Sequence, residues 1–301
     1  MIDEQKAPVT SEVRPGVLYL VGTPIGNLGD LSPRAAGILA DVDLVAAEDT
    51  RHSLRLLTHL GLRKRLESYH EHNWQAKNPL LLEMLQQGRS IALVSDAGMP
   101  CISDPGYELV RLCAENRVTV ISVPGPCAAI VGLAGSGLVT DRFVFEGFLP
   151  ASGKTRKNRL AELALEPRTS LLYEAPHRVR RTLIDMAAAG LADRLLTIAR
   201  ELTKRHEEYL RLTVASAIEH YAELDPRGEY VLVLEGRDAY TRRQPAAEPA
   251  EGTEEDPILA MLRDCKSRGL SVKDAVRECA QLTDRKKNEI YQLALSIWDG
   301  M

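Results

Sequence analysis

The chain has 301 residues, 45% of them hydrophobic, and carries 42 acidic against 38 basic side chains for a net charge of −4. That length supports two packed domains with room for a small third, and the mildly acidic balance excludes a general nucleic-acid coat protein, so any polyanion must meet a local patch. With three Phe and two Trp in all, the core has to be built from Leu, Val, Ile and Ala.

Residues 1–15 read as a disordered tail without an apolar leader. From 16 to about 138, β-branched runs alternate with amphipathic stretches, the pattern of an α/β domain with a mostly parallel sheet and crossover helices. Strands are expected from Val17 to Val21, Asp43 to Ala47, Ile91 to Ser95 and Val118 to Val123, and helices from Pro33 to Ala40, Ser53 to Leu60, Pro79 to Gln87, Tyr107 to Glu115 and Ala128 to Ser136. Residues 139–237 read as a second α/β domain of more antiparallel character. Its strands are expected from Phe143 to Glu146, Ser170 to Tyr173, Leu195 to Ala199, Glu208 to Leu212 and Tyr230 to Leu234, with helices around Thr155 to Leu165, Val179 to Ala189 and Ala215 to Ala222. Residues 238–256 include RRQPAAEPAEGTEED, a Pro/Ala/Glu-rich stretch that reads as a flexible linker. Beyond it, 257–301 shows three short helical patterns, with Gly269 as a C-cap and Ser271 as an N-cap. They form a helix-turn-helix-like domain, and a small packing bundle fits the same pattern. No run approaches a membrane span, and the five cysteines, Cys101, Cys113, Cys127, Cys265 and Cys279, show neither a CxxC pair nor zinc spacing. A soluble cytoplasmic protein with free thiols is expected.

Three strand ends carry unusual loops. Ser95 to Gly106 reads SDAGMPCISDPG, crowding Gly, Pro and Asp where an α/β sheet presents ligand sites. Gly22-Thr23-Pro24-Ile25-Gly26-Asn27-Leu28-Gly29 follows the first strand, but its glycine spacing fails the dinucleotide fingerprint and Pro24 removes an amide donor. Pro124-Gly125-Pro126-Cys127 follows the strand that begins near Val118. One such loop alone is as readily a tight connection; three together point to a small-molecule pocket. The segment GFLPASGKT, from Gly147 to Thr155, is a decoy: it resembles a phosphate loop but has one residue too many between its glycines and is interrupted by Pro150.

Charged clusters mark other strand ends. Glu48-Asp49-Thr50-Arg51 places two acids together, for which a helix cap is one explanation and a site another. Tyr173-Glu174-Ala175-Pro176-His177-Arg178 and Arg200-Glu201-Leu202-Thr203-Lys204-Arg205-His206 end two further strands. His70 and His72 with Asn73 form a further polar cluster, in which an HxH pair lacks a third metal ligand. Lys154, Arg156, Lys157 and Arg159, and Arg178, Arg180 and Arg181, are local basic clusters that suit phosphates or a solvated face.

Together VGTPIGNLGDLSPRA, AEDTR, SDAGMPCISDPG, PGPCAA, DRFVFEGFLP, YEAPHR, ARELTK and GEYVLVLEG resemble, in unbroken order, the ribosomal RNA small-subunit methyltransferase I family of the tetrapyrrole methylase fold class. The tail SVKDAVRECAQLTDRKKNEIYQLAL is similar to that family's small C-terminal domain. The resemblance implies two α/β domains enclosing S-adenosylmethionine, a homodimer, and methylation of the ribose 2′-hydroxyl of a cytidine in small-subunit ribosomal RNA, naked or assembled. It also implies a donor site formed by Gly22, Thr23, Pro24, Gly26 and Asn27, by Asp96, Gly98, Met99 and Ile102, and by Cys127 and Ala128. Met99 stands where relatives carry a polar residue, so only its backbone is expected to serve. By polarity and strand-end position, Glu48, Asp49, Glu174, Arg178, Glu201 and Lys204 are the catalytic candidates. Glu174 or Glu201 is expected to assist deprotonation, with Arg178 and Lys204 holding phosphate or ribose. Arg51, His70, Lys154, Arg156, Lys157 and Arg200 are expected to meet RNA. A different methylase of the same fold class, or a non-enzymatic RNA-binding module, are the alternatives.

Overall fold

The computed structural model describes residues 12–244, 257–283 and 285–298. Of these, the residues up to Thr241 form one compact unit and those from Arg242 a second.

The first unit holds two five-stranded sheets. In the first, β1 (Val17–Val21), β2 (Leu44–Ala47), β3 (Leu66–Ser68), β4 (Ile91–Val94) and β5 (Thr119–Val123) lie in the order β3-β2-β4-β1-β5, all parallel. Its helices are α1 (Pro33–Asp41), α2 (Thr50–His59), α3 (Trp74–Gln86), α4 (Tyr107–Glu115) and α5 (Ala128–Ser136). Parallel strands covered on both faces need continuous apolar runs, and β2 and β4 are buried at every residue. Alternation sends Val17, Tyr19 and Val21 to one core with Ile38 of α1 and Leu57 of α2. It sends Leu18 to the other, with Leu81 of α3 and Leu109 of α4.

The second sheet contains β6 (Phe143–Phe148), β7 (Thr169–Glu174), β8 (Leu195–Arg200), β9 (Glu208–Thr213) and β10 (Tyr230–Leu234) in the order β6-β7-β10-β8-β9. Only the β6/β7 pair is parallel, as its more antiparallel pattern implied. One face packs on α6 (Gly153–Leu165), α7 (Val179–Met186) and α8 (Val214–His220) through Leu163, Leu183 and Ala217. Its other face receives α5, so that Ala129 and Leu133 share a core with Leu171, Ala199 and Val231. The strand ends of both sheets thereby converge.

Four departures from expectation have simple causes. The three-residue β3, Leu-Glu-Ser, is too short and polar to announce itself. Helix α3 begins at Trp74, with Pro79 inside it, although proline ordinarily marks a helix start. Residues 12–15 of the expected tail are attached: Val13 packs on the first core and the Arg14 amide donates to the Tyr19 hydroxyl at 2.8 Å. The start of the expected linker is helix α9 (Arg237–Arg243), tied by the Arg237 amide to the Glu166 carbonyl at 2.8 Å, while 1–11 and 245–256 lie outside the described residues.

The second unit comprises α10 (Pro257–Ser267), α11 (Val272–Leu282) and α12 (Lys287–Trp298). Leu262, Cys265, Ala275, Cys279, Ile290 and Ala294 form its core. Gly269 takes φ 78° after α10, and Ser271 caps α11 by accepting the Asp274 amide at 3.3 Å. All five cysteines are free, and among the described residues no helix is long and apolar enough to cross a membrane.

Candidate active site

Three loops of the first sheet are fastened to one another. Thr23 and Gly98 exchange backbone hydrogen bonds of 2.9 and 3.0 Å, and the Thr23 hydroxyl donates to the Ser95 carbonyl at 3.2 Å. Behind them Gly22 and Gly125 stand back to back: a Cβ on Gly22 would lie 2.8 Å from the Gly125 Cα and 2.6 Å from the Met99 Sδ. Glycine is required at both positions because backbone meets backbone. Farther along, a Cβ on Gly26 would lie 2.4 Å from the Lys204 Cγ, so the lysine stem rests on that loop.

Where these loops face the second sheet there is a cavity of about 430 Å³, within the range of small-ligand sites. Asp96, Gly98, Met99, Ile102, Cys127, Ala128, Glu48 and Glu174 line it, so these predicted site residues are brought together. Ile25, Ser103, Asp104, Phe148, Tyr173, Leu202, Glu229 and Val231 complete much of the wall. Gly22, Thr23, Pro24, Gly26 and Asn27 do not line it. Thr23 and Pro24 flank a small cleft with Asp96, and Asn27 caps a short turn by accepting the Gly29 amide at 2.9 Å. Their part is to shape the loop. Four non-glycine residues of the surrounding loops, Cys101, Ser103, Glu201 and Thr203, have φ between 52° and 71°, conformations that cluster where a site dictates backbone shape.

An adjoining groove shares Glu48, Ser103 and Asp104 with the cavity and adds Asp49, Arg51 and His70. Asp49 is the N-cap of α2, accepting the Arg51 amide at 2.8 Å, and hydrogen bonds from the Arg51 side chain and amide hold its carboxyl well below the usual carboxylate range. The Arg51 side chain remains 88% exposed. His70 accepts the His72 amide at its Nδ1, 3.3 Å away, and its own amide is held by Asn73 at 2.9 Å.

The carboxylates differ sharply in what they are free to do. Glu174 is 3% exposed, and both its oxygens are engaged: Oε2 accepts the Thr182 hydroxyl at 2.5 Å, while Oε1 accepts the Ala175 amide at 2.9 Å and faces the Arg178 Nε at 3.2 Å. Arg178 also donates to the Leu149 and Pro150 carbonyls, so its guanidinium is occupied inside the protein. Glu201 accepts from Lys204 at 2.9 Å, and Lys204 also reaches Glu229 at 3.0 Å. Neither Glu201 nor Lys204 lines the cavity. Glu174 and Glu201, expected as base, and Arg178 and Lys204, expected on phosphate or ribose, are thus each engaged by partners within the protein.

Asp104, absent from the sequence-derived candidates, is the carboxyl that the fold perturbs most usefully. Burial first, then the nearby Glu48 and Asp96 carboxylates, push it up to about 7. Burial also raises Glu48, while its oxygen accepts the Asp96 amide at 3.4 Å and Asp96 in turn accepts the Asp49 amide at 3.0 Å. Only the DPG turn hinted at Asp104, because neither its burial nor its approach to Glu48 is local in sequence.

Among the basic candidates, Lys154 and Lys157 are exposed on α6. Arg156 is 3% exposed, paired with Asp185 at 2.7 Å and donating to Thr182 at 2.9 Å and Pro150 at 3.0 Å. It therefore cannot meet RNA, which corrects its assignment; one residue's rotation on the helix separates it from Lys157. Arg200 pairs with Glu208 at 3.2 Å and does not line the cavity.

The donor set fits a cationic sulfonium. Glu48, Asp96 and Asp104 crowd one side without a matching basic residue on the cavity wall, and Ile25, Ile102, Ala128, Leu202 and Val231 offer apolar surface. That charge distribution disfavours a polyphosphate cofactor.

Two substitutions check this assignment of structural and site residues. Arg156→Ala is expected to lower unfolding free energy in urea by about 2–4 kcal/mol by removing the donor to the buried Thr182 hydroxyl, the Pro150 carbonyl and Asp185, whereas Lys157→Ala stays within about 0.5 kcal/mol. Asp104 binds its proton more tightly folded than in the unfolded chain, where the ordinary value is 3.8. Stability is therefore lost as pH rises from about 4 to about 7, and the penalty is complete above that window. Asp104→Asn is expected to raise the melting temperature at pH 8 by about 2–4 °C and to leave it unchanged at pH 4, as differential scanning calorimetry will show.

Residues 17–218 match the family of Tetrapyrrole (Corrin/Porphyrin) Methylases and residues 251–297 match the RsmI C-terminal HTH domain. The Ribosomal RNA small subunit methyltransferase I of a Synechocystis strain is 47% identical over 282 residues, spanning 94% of this chain and 98% of that protein. Its counterpart of the same name in Escherichia coli O157:H7 is 45% identical over 284 residues, spanning 93% and 95%. Diphthine synthase shares the fold with a TM-score of 0.56 at 15% identity, over 73% of this chain and 90% of that one. Uroporphyrin-III-C-methyltransferase from Thermus thermophilus gives 0.53 at 19%, over 73% and 94%. With loops, cavity and both matched regions in register along it, the chain belongs to the ribosomal RNA small subunit methyltransferase I family, a tetrapyrrole methylase fold followed by a helix-turn-helix-type domain.

Proposed function

We propose that this chain methylates the ribose 2′-hydroxyl of a cytidine in small-subunit ribosomal RNA, using S-adenosylmethionine. The observation that carries the reading is the cavity itself: apolar and acidic on the side of the three fastened loops, with exposed lysines on the neighbouring helix α6. Family membership supplies the substrate class, and the relatives it rests on align over nearly their whole length.

When bound, S-adenosylmethionine supplies an electrophilic methyl group on a sulfonium. The backbone of Gly98 and Met99, with Ile25, Ile102, Cys127, Ala128 and Leu202, would hold its apolar parts, and Glu48 and Asp96 would face its positive charge. The ribose hydroxyl is a poor nucleophile, so a base is valuable. Asp104 takes that role here: it lines both the cavity and the adjoining groove, and burial leaves it basic enough to accept a proton near neutral pH. Glu174, locked by Thr182, Ala175 and Arg178, shapes the opposite wall. Lys204 lies over Gly26 and steadies the loop. Displacement at the methyl carbon then depends chiefly on alignment and exclusion of water. Exposed Lys154 and Lys157 attract phosphates, and exposed Lys286 and Lys287 of the second unit offer further cationic surface. The same family resemblance supports a cytoplasmic homodimer.

Mass spectrometry of nucleosides after incubating the protein with labelled donor and either naked ribosomal RNA or assembled small subunits is expected to show labelled 2′-O-methylcytidine. Label on a nucleobase, or none with either substrate, overturns the reading. Because the base acts ionised, kcat/KM is expected to rise as pH passes through about 7. Asp104→Asn is expected to lower kcat about 100-fold or more and to remove that limb from the pH profile.

A further inference from the structure

Phe148 is 52% exposed although it stands on the cavity wall at the end of β6. Its direction is set by a specific device. Strand side chains alternate, so Phe145 and Phe148 should point to opposite faces. A bulge intervenes: Phe145 pairs with Leu171, Gly147 with Leu172 and Phe148 with Tyr173. Leu171 and Tyr173 share a face, and therefore so do the two phenylalanines. Gly147 makes the bulge possible with φ 62°, and bulges beside active sites commonly re-aim a side chain in this way.

The ring is backed and its free surface is turned to the cavity. Tyr173 lies between the two phenylalanines, with centroid distances of 5.1 Å to Phe145 and 5.6 Å to Phe148. The Tyr173 hydroxyl is anchored by the Ala129 amide at 3.2 Å. From the first sheet Ile102, itself 44% exposed, lines the same cavity, and a Cβ on Gly147 would lie 3.1 Å from the Ser103 Oγ, so the two loops meet at this edge. Charge sorts the space between them. Glu48 and Asp96 face a cationic donor, whereas Phe148 leads within a few residues to exposed Lys154 and Lys157, which suit a phosphodiester chain.

We infer that Phe148 is the stacking platform for the unstacked pyrimidine base of the nucleotide being methylated, placing its ribose beside Asp104. This rests on the proposed ribosomal RNA methylation. Enzymes acting on a nucleotide draw it out of its stack, and aromatic side chains hold single-stranded bases by their π-faces. An exposed ring next to a cavity too acidic for phosphates gives the base a place while leaving the backbone outside.

The test compares the full chain with Phe148→Ala, Phe148→Leu and Phe148→Trp, each checked for an unchanged thermal melt. Three quantities are measured: kcat/KM for RNA, the calorimetric Kd for S-adenosylmethionine, and the fluorescence of pyrrolo-cytidine placed at the methylated position. Phe148→Ala is expected to lower kcat/KM at least about tenfold with donor Kd within about twofold, Phe148→Trp to restore it, and Phe148→Leu not to. Pyrrolo-cytidine fluorescence is expected to be quenched by the unsubstituted protein and not by Phe148→Ala. Unchanged kcat/KM in Phe148→Ala, full activity in Phe148→Leu, or an equal loss of donor affinity overturns the stacking role, the last assigning the ring to the donor. Failure of the unsubstituted protein to methylate RNA instead overturns the proposed function, and the inference with it.

Discussion

Helix α5 packing on the second sheet is the contact on which the cleft depends. The approach is close enough to require glycine: a Cβ on Gly132 would lie 2.9 Å from the Val231 Cγ1, and one on Gly135 would lie 2.5 Å from the Tyr209 ring. The sheet also satisfies the helix's free end. Arg211 donates to the Gly135 and Ser136 carbonyls, and Thr197 reaches Ser136 at 2.9 Å. Helix and sheet are therefore joined by both packing and hydrogen bonds, and the N-terminal end of α5 carries Cys127 and Ala128 to the cavity as a consequence.

Charged groups around that cleft divide into those that hold it and those left reactive. Asp185, Arg156, Thr182, Glu174 and Arg178 form one connected chain through the second α/β half, in which each acid has a donor. Such pairs are costly to break and contribute little that a ligand can use. Asp104 is partly buried and has acids for neighbours in place of a cation, and burial first, then those acids, keep its proton close to neutral pH. The loops that carry it and Glu201 also contain the left-handed Cys101, Ser103 and Thr203, each costing about 1–3 kcal/mol that the surrounding packing must offset.

Much of this was legible in the chain. Apolar runs such as Ile91–Val94 announce a strand covered on both faces, and Gly/Pro clusters mark where the strands empty into loops. What escaped was short, amphipathic or dependent on a distant partner. Helix α9 was hidden by its Arg-rich, linker-like composition, and β3 by its three residues. Arg156 and Lys157 are adjacent cations with equal claims to a phosphate until the helix turns one inward to Asp185. Phe148 lies beyond the strand expected from Phe143 to Glu146, and only the bulge at Gly147 turns it to the face of Phe145.

The sequence by itself determined the alternation of strands and helices, the loop-bearing strand ends and the family, because periodicity, backbone-permissive residues and motif order are all properties of neighbours along the chain. Tertiary structure alone decided which carboxyl is poised near neutrality, which arginines are buried in ion pairs and which aromatic ring faces the cavity. Those properties arise from desolvation and from partners dozens of residues away: Glu48 for Asp104, Asp185 for Arg156, Tyr173 for Phe148. Linear spacing does not encode that proximity, so polarity and strand-end position nominated Glu174 and Glu201, which the fold closes into pairings within the protein, and passed over Asp104 on the cavity wall.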